Sequence, residues 1–268
     1  MGPQAQESDV RFAVDPSELA CPGCQGALAQ DDGRLQCQGC GARYPIVDGI
    51  PSLLPGDQRD WRETVARLDR ELRRHPWVMA KMSFAGCTWL PRARRQILES
   101  IAVQPGDVVL DHCTGCGENL PILQRAVGAK GRMCAFDLSL YGLQRAARRL
   151  EELDIGNVRL QQADAHALPY PSRQFDAVVH FGAWNQLPGQ KHALEEIIRV
   201  TRPGGWVVIL DEGLHPQRRD SWYGRLLRWG NPLFGSSPPM ELFACYAEPS
   251  VRWVVRGMFY EVRFRVPN

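Results

Sequence analysis

Between residues 107 and 211 the chain alternates short apolar runs with amphipathic segments, and few folds accept that pattern. Asp107–Asp111 (DVVLD), Arg132–Asp137 (RMCAFD), Val158–Gln162, Phe175–Phe181 (FDAVVHF) and Trp206–Asp211 (WVVILD) have the length and apolar character of strands covered on both faces. Glu118–Val127 is predicted helical, with Pro121 tolerated in its first turn. Ser139 is predicted to cap a helix that turns Leu143, Ala146, Ala147 and Leu150 inward. His192–Val200 gathers Ala193, Leu194, Ile197 and Ile198 on one face, and 92–102 form a basic amphipathic helix. The alternation predicts a parallel sheet with helices on both sides. Two β-rich runs, 251–258 and 259–266, meet around Gly257-Met258 and predict a hairpin whose last strand is antiparallel.

Such sheets bind ligands at the carboxyl ends of their strands. The first run ends in Asp111-His-Cys-Thr-Gly-Cys-Gly117, where small residues let the backbone approach a ligand. The second ends in Asp137, a carboxylate suited to a ribose diol. The third leads to Asp164-Ala165, suited to an adenine amino group. The fourth ends in His180-Phe181-Gly182, and Arg202-Pro-Gly-Gly205 stands before the fifth.

A single glycine loop is shared with nucleotide dehydrogenases, but this combination is narrower. VLDHCTGCG, the acidic Asp137, DAHALPYPSRQFDAVV and EEIIRVTRPGGWVVILDEG together resemble class I S-adenosylmethionine-dependent methyltransferases over residues 92–268. The resemblance implies an α/β fold: a Rossmann-like seven-stranded sheet with its last strand antiparallel. It implies that Asp111 and the loop carrying Cys113, Thr114, Gly115 and Gly117 approach the methionine end of the cofactor. It further implies that Asp137, with Leu138 beside it, holds the ribose, and that Asp164 and Ala165 read the adenine. One departure is plain: the family loop is usually DxGxGxG, and Cys113 replaces its first glycine. That creates a further CxxC, Cys113–Cys116, for which a redox role is the alternative reading.

The front of the chain carries different chemistry. Cys21-Pro-Gly-Cys24 and Cys37-Gln-Gly-Cys40 are two CxxC turns separated by twelve residues. Each turn can aim two thiolates at one ion, and four thiolates close a tetrahedron, so a zinc ion there is structural. The segment is too small for a self-sufficient core, so metal binding would supply much of its folding energy. The CPxC opening, the CxxCG and YPI-x-DGIP-x-LL resemble zinc ribbons related to the tRNA-methyltransferase activator subunit. The resemblance covers residues 18–55 and implies a ribbon packed on a methyltransferase domain.

These readings divide the chain into a ribbon (1–55), a helical connector (56–91) and a catalytic domain (92–268) with an insertion at 213–246. In the connector, Trp61, Val65, Leu68 and Leu72 recur at helical spacing, and the helix is predicted to end near His75-Pro76. Residues 77–90 are apolar without a clean period and could cover the cofactor or pack on the main domain. The insertion, with SWYGRLLRWGNPLFGSSPP, reads either as a lid over an aromatic or lipophilic substrate or as a dock for the ribbon or a second subunit. Its two proline stretches argue against an amphipathic membrane contact.

Methyl transfer is an in-line displacement at an activated sulfonium carbon, and alignment can supply much of the catalysis. A general base is needed only if the acceptor must lose a proton. His180 is the leading candidate, with a hydrogen-bonded packing role as the alternative. His215, beyond Asp211-Glu212, is the second candidate, with a loop role as its alternative. His112, His166 and His192 read as structural. Trp184-Asn185 either touches substrate or packs.

A net charge of +2 does not by itself call for nucleic acid. A small, aromatic or lipophilic metabolite is therefore the expected substrate. The alternative is an RNA base, with the ribbon binding RNA and Arg92/Arg94/Arg95, Arg145/Arg148/Arg149 and Arg218/Arg219 meeting phosphates. No Asn-Pro-Pro-Tyr-type motif follows the fourth strand. A third reading, a cofactor-fold sensor without catalysis, sits poorly with the intact acidic positions. The polar opening MGPQAQESDV, the lack of a spanning apolar run and nine cysteines read as ligands or free thiols point to a cytoplasmic protein.

Overall fold

The computed structural model describes residues 15–85, 90–101 and 103–268. The chain opens with four short strands: β1 (Leu28–Asp31), β2 (Arg34–Cys37), β3 (Arg43–Val47) and β4 (Ile50–Leu53). Each pairs antiparallel with the next. Two of the turns are two-residue Asp-Gly loops, Asp32-Gly33 and Asp48-Gly49, with positive φ at both residues. That is the turn whose twist matches flanking strands, and Asp-Gly is among the pairs that adopt it most readily.

Two helices follow, α1 (Arg62–Ala85) and α2 (Leu90–Glu99). The alternating region then runs β5 (Val108–His112), α3 (Leu120–Val127), β6 (Arg132–Asp137), α4 (Leu140–Glu152), β7 (Val158–Ala163), β8 (Phe175–Phe181), α5 (Gln190–Val200) and β9 (Thr201–Glu212). The insertion forms α6 (Pro216–Arg219), α7 (Trp222–Gly230) and α8 (Met240–Ala244), and the chain closes with β10 (Ser250–Val254) and β11 (Phe259–Arg265). Ser139 caps α4 as its sequence predicts, its hydroxyl accepting from the Gly142 N–H at 3.0 Å.

The strands form one sheet of eleven, ordered β1-β2-β3-β4-β7-β6-β5-β8-β9-β11-β10. β5 through β9 are mutually parallel, and β11 runs antiparallel between β9 and β10. The expected seven-stranded sheet is extended because β4 adds parallel to β7, pairing Ser52 with Gln162 and Leu53 with Ala163. The ribbon is thus an edge of the sheet rather than a satellite. Ala20 N–H donates to Pro169 O at 3.0 Å, Ser52 Oγ to Gln162 Oε1 at 2.7 Å, and Arg132 pairs with Glu18.

Alternate residues of the strands feed two cores. Leu110, Phe136 and Val178 face Ala193, Leu194 and Ile197 of α5, in a cluster that continues into Cys21, Leu28, Leu35 and Tyr44 of the ribbon. Val109, Ala135 and Val179 face Leu98, Leu123, Leu143, Ala146 and Leu150 on the other side. Each buried leucine of that kind contributes about 2 kcal/mol.

Two local expectations are corrected. α1 does not stop at His75-Pro76 but continues to Ala85. A proline inside a helix removes one N–H donor and costs about 3 kcal/mol; the remaining turns of a long helix packed against α2 and α4 carry that loss. Residues 77–85 are therefore helical, while the rest of the apolar stretch, 86–89, lies outside the described residues. Arg202-Pro-Gly-Gly205 does not precede β9 but lies inside it as an irregularity. The register steps from Phe175↔Thr201 to Ala177↔Trp206. A side chain at Gly205 would meet Thr201 Cγ2 at 2.7 Å, so the bulge needs glycine.

Candidate active site and metal centre

The ribbon brings together the four cysteines singled out from sequence. Cys21 and Cys40 sulfurs lie 3.7 Å apart and those of Cys24 and Cys37 lie 3.4 Å apart. All four sulfurs fall within 4.8 Å of one another. A tetrahedron with zinc–sulfur bonds of about 2.3 Å has edges of about 3.8 Å, so the set fits one zinc ion with no open position. Gly39 and Cys40 N–H groups donate to Cys37 Sγ at 3.3 and 3.4 Å. Donation from Cys40, with Gly39 behind it, brings the Cys37 thiol down to about 6, which favours the thiolate a metal needs. Tyr44 Oη lies 3.1 Å from Cys21 Sγ. Gly26, not singled out from sequence, provides the room: a Cβ there would sit 3.1 Å from Cys37 Sγ.

The second centre lies at the carboxyl ends of β5, β6 and β8. Asp111 is fully buried and accepts from Thr114 Oγ1 at 2.5 Å and from Asn119 Nδ2 at 3.0 Å. Burial pushes its carboxyl up to about 6, against those two hydrogen bonds. Asp111 thus fixes the 113–117 loop from beneath. Thr114 N–H reaches across to Phe136 O at 2.9 Å. Cys113 adopts φ 57, the left-handed region that the family glycine would occupy without strain. Gly117 (φ 75) packs so closely on α4 that a Cβ would meet the Ala146 Cβ at 2.8 Å.

Asp137 receives this loop. Its Oδ2 accepts from Gly115 N–H and its Oδ1 from Ser139 N–H, both at 2.8 Å. Burial raises its pKa, while the Ser139 and Gly115 amides act in the opposite sense. Leu138 accepts from Gln162 Nε2 at 2.9 Å through its carbonyl. Asp164 Oδ1 accepts from His166 N–H at 3.2 Å and lies 2.8 Å from His166 Nδ1, with Ala165 buried beside it. Leu72 of α1 covers the same loop: its methyls would stand 3.6 Å from a Cβ on Gly115 and 2.8 Å from one on Gly142. Asp69 bonds Ser139, and Arg73 lies over the Tyr141 ring at 4.0 Å.

His180 is buried, and its partner is His112. Their Nδ1 atoms lie 2.8 Å apart, so one ring donates and the other accepts. The two residues are register neighbours on β5 and β8. Burial holds His180 at about 3 and His112 well below its ordinary value, so the pair is neutral. Both Nε2 atoms and Trp184 Nε1 are buried without a hydrogen-bond partner among the described residues. Cys113 completes the group, with its sulfur within 4.8 Å of a nitrogen of each ring. Reading His112 as merely structural missed this pairing, which depends on which strands adjoin.

Other candidates fall elsewhere. His215 caps α6, accepting from Gln217 N–H at 3.3 Å, and packs edge-on to Trp253. Trp184 is buried and stacked on Phe243, so of its two readings packing holds. Asn185 ties β9 to β11 through Glu212 O and Tyr260 Oη. Burial pushes the Cys113 thiol well above its ordinary range and Cys116 up to about 11, which leaves little thiolate for redox chemistry. Arg94 bonds Asn119 Oδ1 at 2.7 Å and lies over Phe181 at 4.4 Å; Arg219 donates to Leu214 O, Ser236 O and Ser237 Oγ. Both are committed internally rather than offered to phosphates. The front of the insertion packs Leu214, Leu227 and Phe234 on Met258 and Phe259 near β11, whereas Phe243 of α8 belongs to the core that also holds Cys21 and Tyr44 of the ribbon.

This combination of a glycine loop held by two buried acids, a strand order reversed at β5–β8 and an antiparallel strand before the edge defines a methyltransferase-type α/β domain joined to a zinc ribbon. The comparisons agree. Residues 109–205 match the methyltransferase domain family, and residues 19–49 match the Trm112p-like family. The demethylmenaquinone methyltransferase of Bacillus cereus (strain B4264) is 34% identical over 145 residues, covering 53% of this chain and 60% of that one. The chain spans about 60% of the length of that relative and half that of the Oceanobacillus iheyensis enzyme. A SAM-dependent methyltransferase structure from Aquifex aeolicus shares the fold at TM-score 0.55 and 20% identity, covering 74% of this chain and 98% of that one. A complex of the Haloferax volcanii Trm112 methyltransferase activator with a methyltransferase matches at TM-score 0.56 and 15% identity, over 75% and 98%.

Proposed function

We propose that the protein transfers a methyl group from S-adenosylmethionine to a small lipophilic, quinol-like or aromatic acceptor. The observation that carries the cofactor half is the loop at 113–117, gripped between Asp111 below and Asp137 at its side. S-adenosylmethionine, when bound, supplies an activated methyl group. Asp137 would take the ribose hydroxyls on the lone pairs that Gly115 and Ser139 leave open. Cys113, Thr114, Gly115 and Gly117 would face the methionine portion with backbone, and Leu138, Asp164 and Ala165 would line the adenine.

His180 has the wrong character for a general base. A neutral imidazole held near pKa 3 takes up a proton poorly at physiological pH. The His112–His180 pair is instead a buried hydrogen-bonded pair beside Cys113, and His215 caps α6. In-line alignment then carries the reaction. The acceptor class rests on the similarity to demethylmenaquinone methyltransferases, which extends over 145 residues. The ribbon, within residues 1–55, acts as a built-in counterpart of an activator subunit, bracing β7 from its edge.

The test is methylation of a demethylmenaquinone-type quinol, with S-adenosylhomocysteine as the measured product. Turnover on the quinol supports the reading. Copurification with RNA and steeply salt-dependent RNA binding, with no quinol turnover, moves the acceptor to an RNA base; the Trm112p-like ribbon is the observation that favours this second reading.

A further inference from the structure

Five large hydrophobic side chains stand exposed among the described residues, and three of them share one helix: Trp222, Leu226 and Trp229 of α7, at 72%, 51% and 85%. Their spacing places them on a single stripe. On the opposite stripe Leu227 is buried with Phe234, Met258 and Phe259, and Gly224 is buried against the backbone of Arg218 and Arg219. α7 is therefore apolar on both sides, and its outer side faces solvent. Arg225 is exposed at the margin of the stripe; Arg218 is exposed as well, but its backbone lies against Gly224, on the buried side of the helix. Residues 216–230 carry four arginines against one acid, Asp220.

We propose that the Trp222–Leu226–Trp229 face of α7, with Arg225 at its margin, docks the protein reversibly on an anionic phospholipid surface. Tryptophans settle at the boundary between headgroups and acyl chains, and arginines beside them are drawn to anionic lipid. The exposed apolar area is roughly 400–500 Å², about half of what each side of a stable protein interface buries. That area suits reversible lipid contact better than a permanent protein partner. The proline stretches that argued against a membrane contact only shorten the helix. Nine residues still complete the i, i+4, i+7 stripe. The insertion follows the carboxyl end of β9, the end at which such sheets bind ligands. Its bearing on acceptor delivery rests on the lipophilic-substrate reading above; the surface itself does not.

Cosedimentation of the full chain with phosphatidylcholine vesicles, with and without about one-third phosphatidylglycerol, tests this. The protein should pellet with the anionic vesicles and be released by high salt. The double variant W222A/W229A, and separately L226D, should need at least about tenfold more lipid for half-binding, and R225Q a few-fold more. All three side chains lie outside the cores, so melting temperature and S-adenosylhomocysteine affinity should not change; if L226D fails to fold, W222A/W229A decides. No binding to either vesicle, or equal binding by the double variant, overturns the proposal. Equal binding to neutral and anionic vesicles overturns its electrostatic part. A dimer that W222A/W229A dissociates, without vesicle binding, assigns the face to a second copy and also overturns it. Vesicle binding without quinol turnover leaves the surface standing and removes only the substrate reading.

Discussion

The ribbon and the β5–α3 loop both wrap a tight turn around small residues and cysteine, yet they do opposite things with their polar atoms. In the ribbon, two backbone amides point at the Cys37 sulfur and a tyrosine hydroxyl lies beside that of Cys21, and the four sulfurs close on one another. In the loop, Asp111 and Asp137 hold the backbone from below and from the side, and the loop stands at the ligand end of the strands. The same local device builds a closed four-sulfur cluster in one place and, in our proposal, a cofactor site in the other. What differs is whether the donors and acceptors find one another or a ligand.

Loss of the four-sulfur cluster should have the largest effect. Cys21, Cys37 and Tyr44 belong to the core that contains Phe136 and Val178, so Cys37→Ser or strong chelation should weaken the whole sheet. A fall in melting temperature of at least about 10 °C, with one zinc per chain in the untreated protein, is expected by calorimetry and metal analysis. An unchanged catalytic domain after zinc loss would show that the ribbon is merely appended.

On the loop side, Asp137→Ala should weaken S-adenosylmethionine binding at least about fiftyfold, or roughly 2 kcal/mol, while melting shifts only a few degrees. An equal loss of fold and binding would erase the distinction between the two regions. Gly117→Ala should cost about 2–3 kcal/mol in urea denaturation, because it combines positive φ with a 2.8 Å approach to Ala146.

The smallest effect is one of pH. Asp111 is raised to about 6 from 3.8, so the folded state holds its proton more tightly than the unfolded one. Its contribution is fully present below pH 4 and is lost as pH rises through about 6. Asp111→Asn should flatten that part of the stability profile relative to wild type; parallel profiles would show that Asp111 is not the titrating group.

Much of this architecture is legible in the chain because its signals are local. The run FDAVVHF and the cap at Ser139 depend on residues a few positions apart, and the structure places both where the pattern does. The departures come from contacts distant in sequence. The fully buried run Ile50–Leu53 is apolar enough to announce a paired strand, but nothing local says that its partner is β7. The His112–His180 pair required knowing that β5 and β8 adjoin where the strand order reverses. Pro76 misled because the cost of a proline is local while the support for α1 comes from α2 and α4.

In our proposal the loop gripped by Asp111 and Asp137 is a nucleoside-cofactor site rather than a packed turn. Calorimetric titration of the zinc-loaded chain with S-adenosylhomocysteine tests it most directly. Saturable binding to one site per chain in the micromolar range is expected, greatly weakened in Asp137→Ala. No heat at millimolar ligand, or equal affinity in the variant, would contradict it.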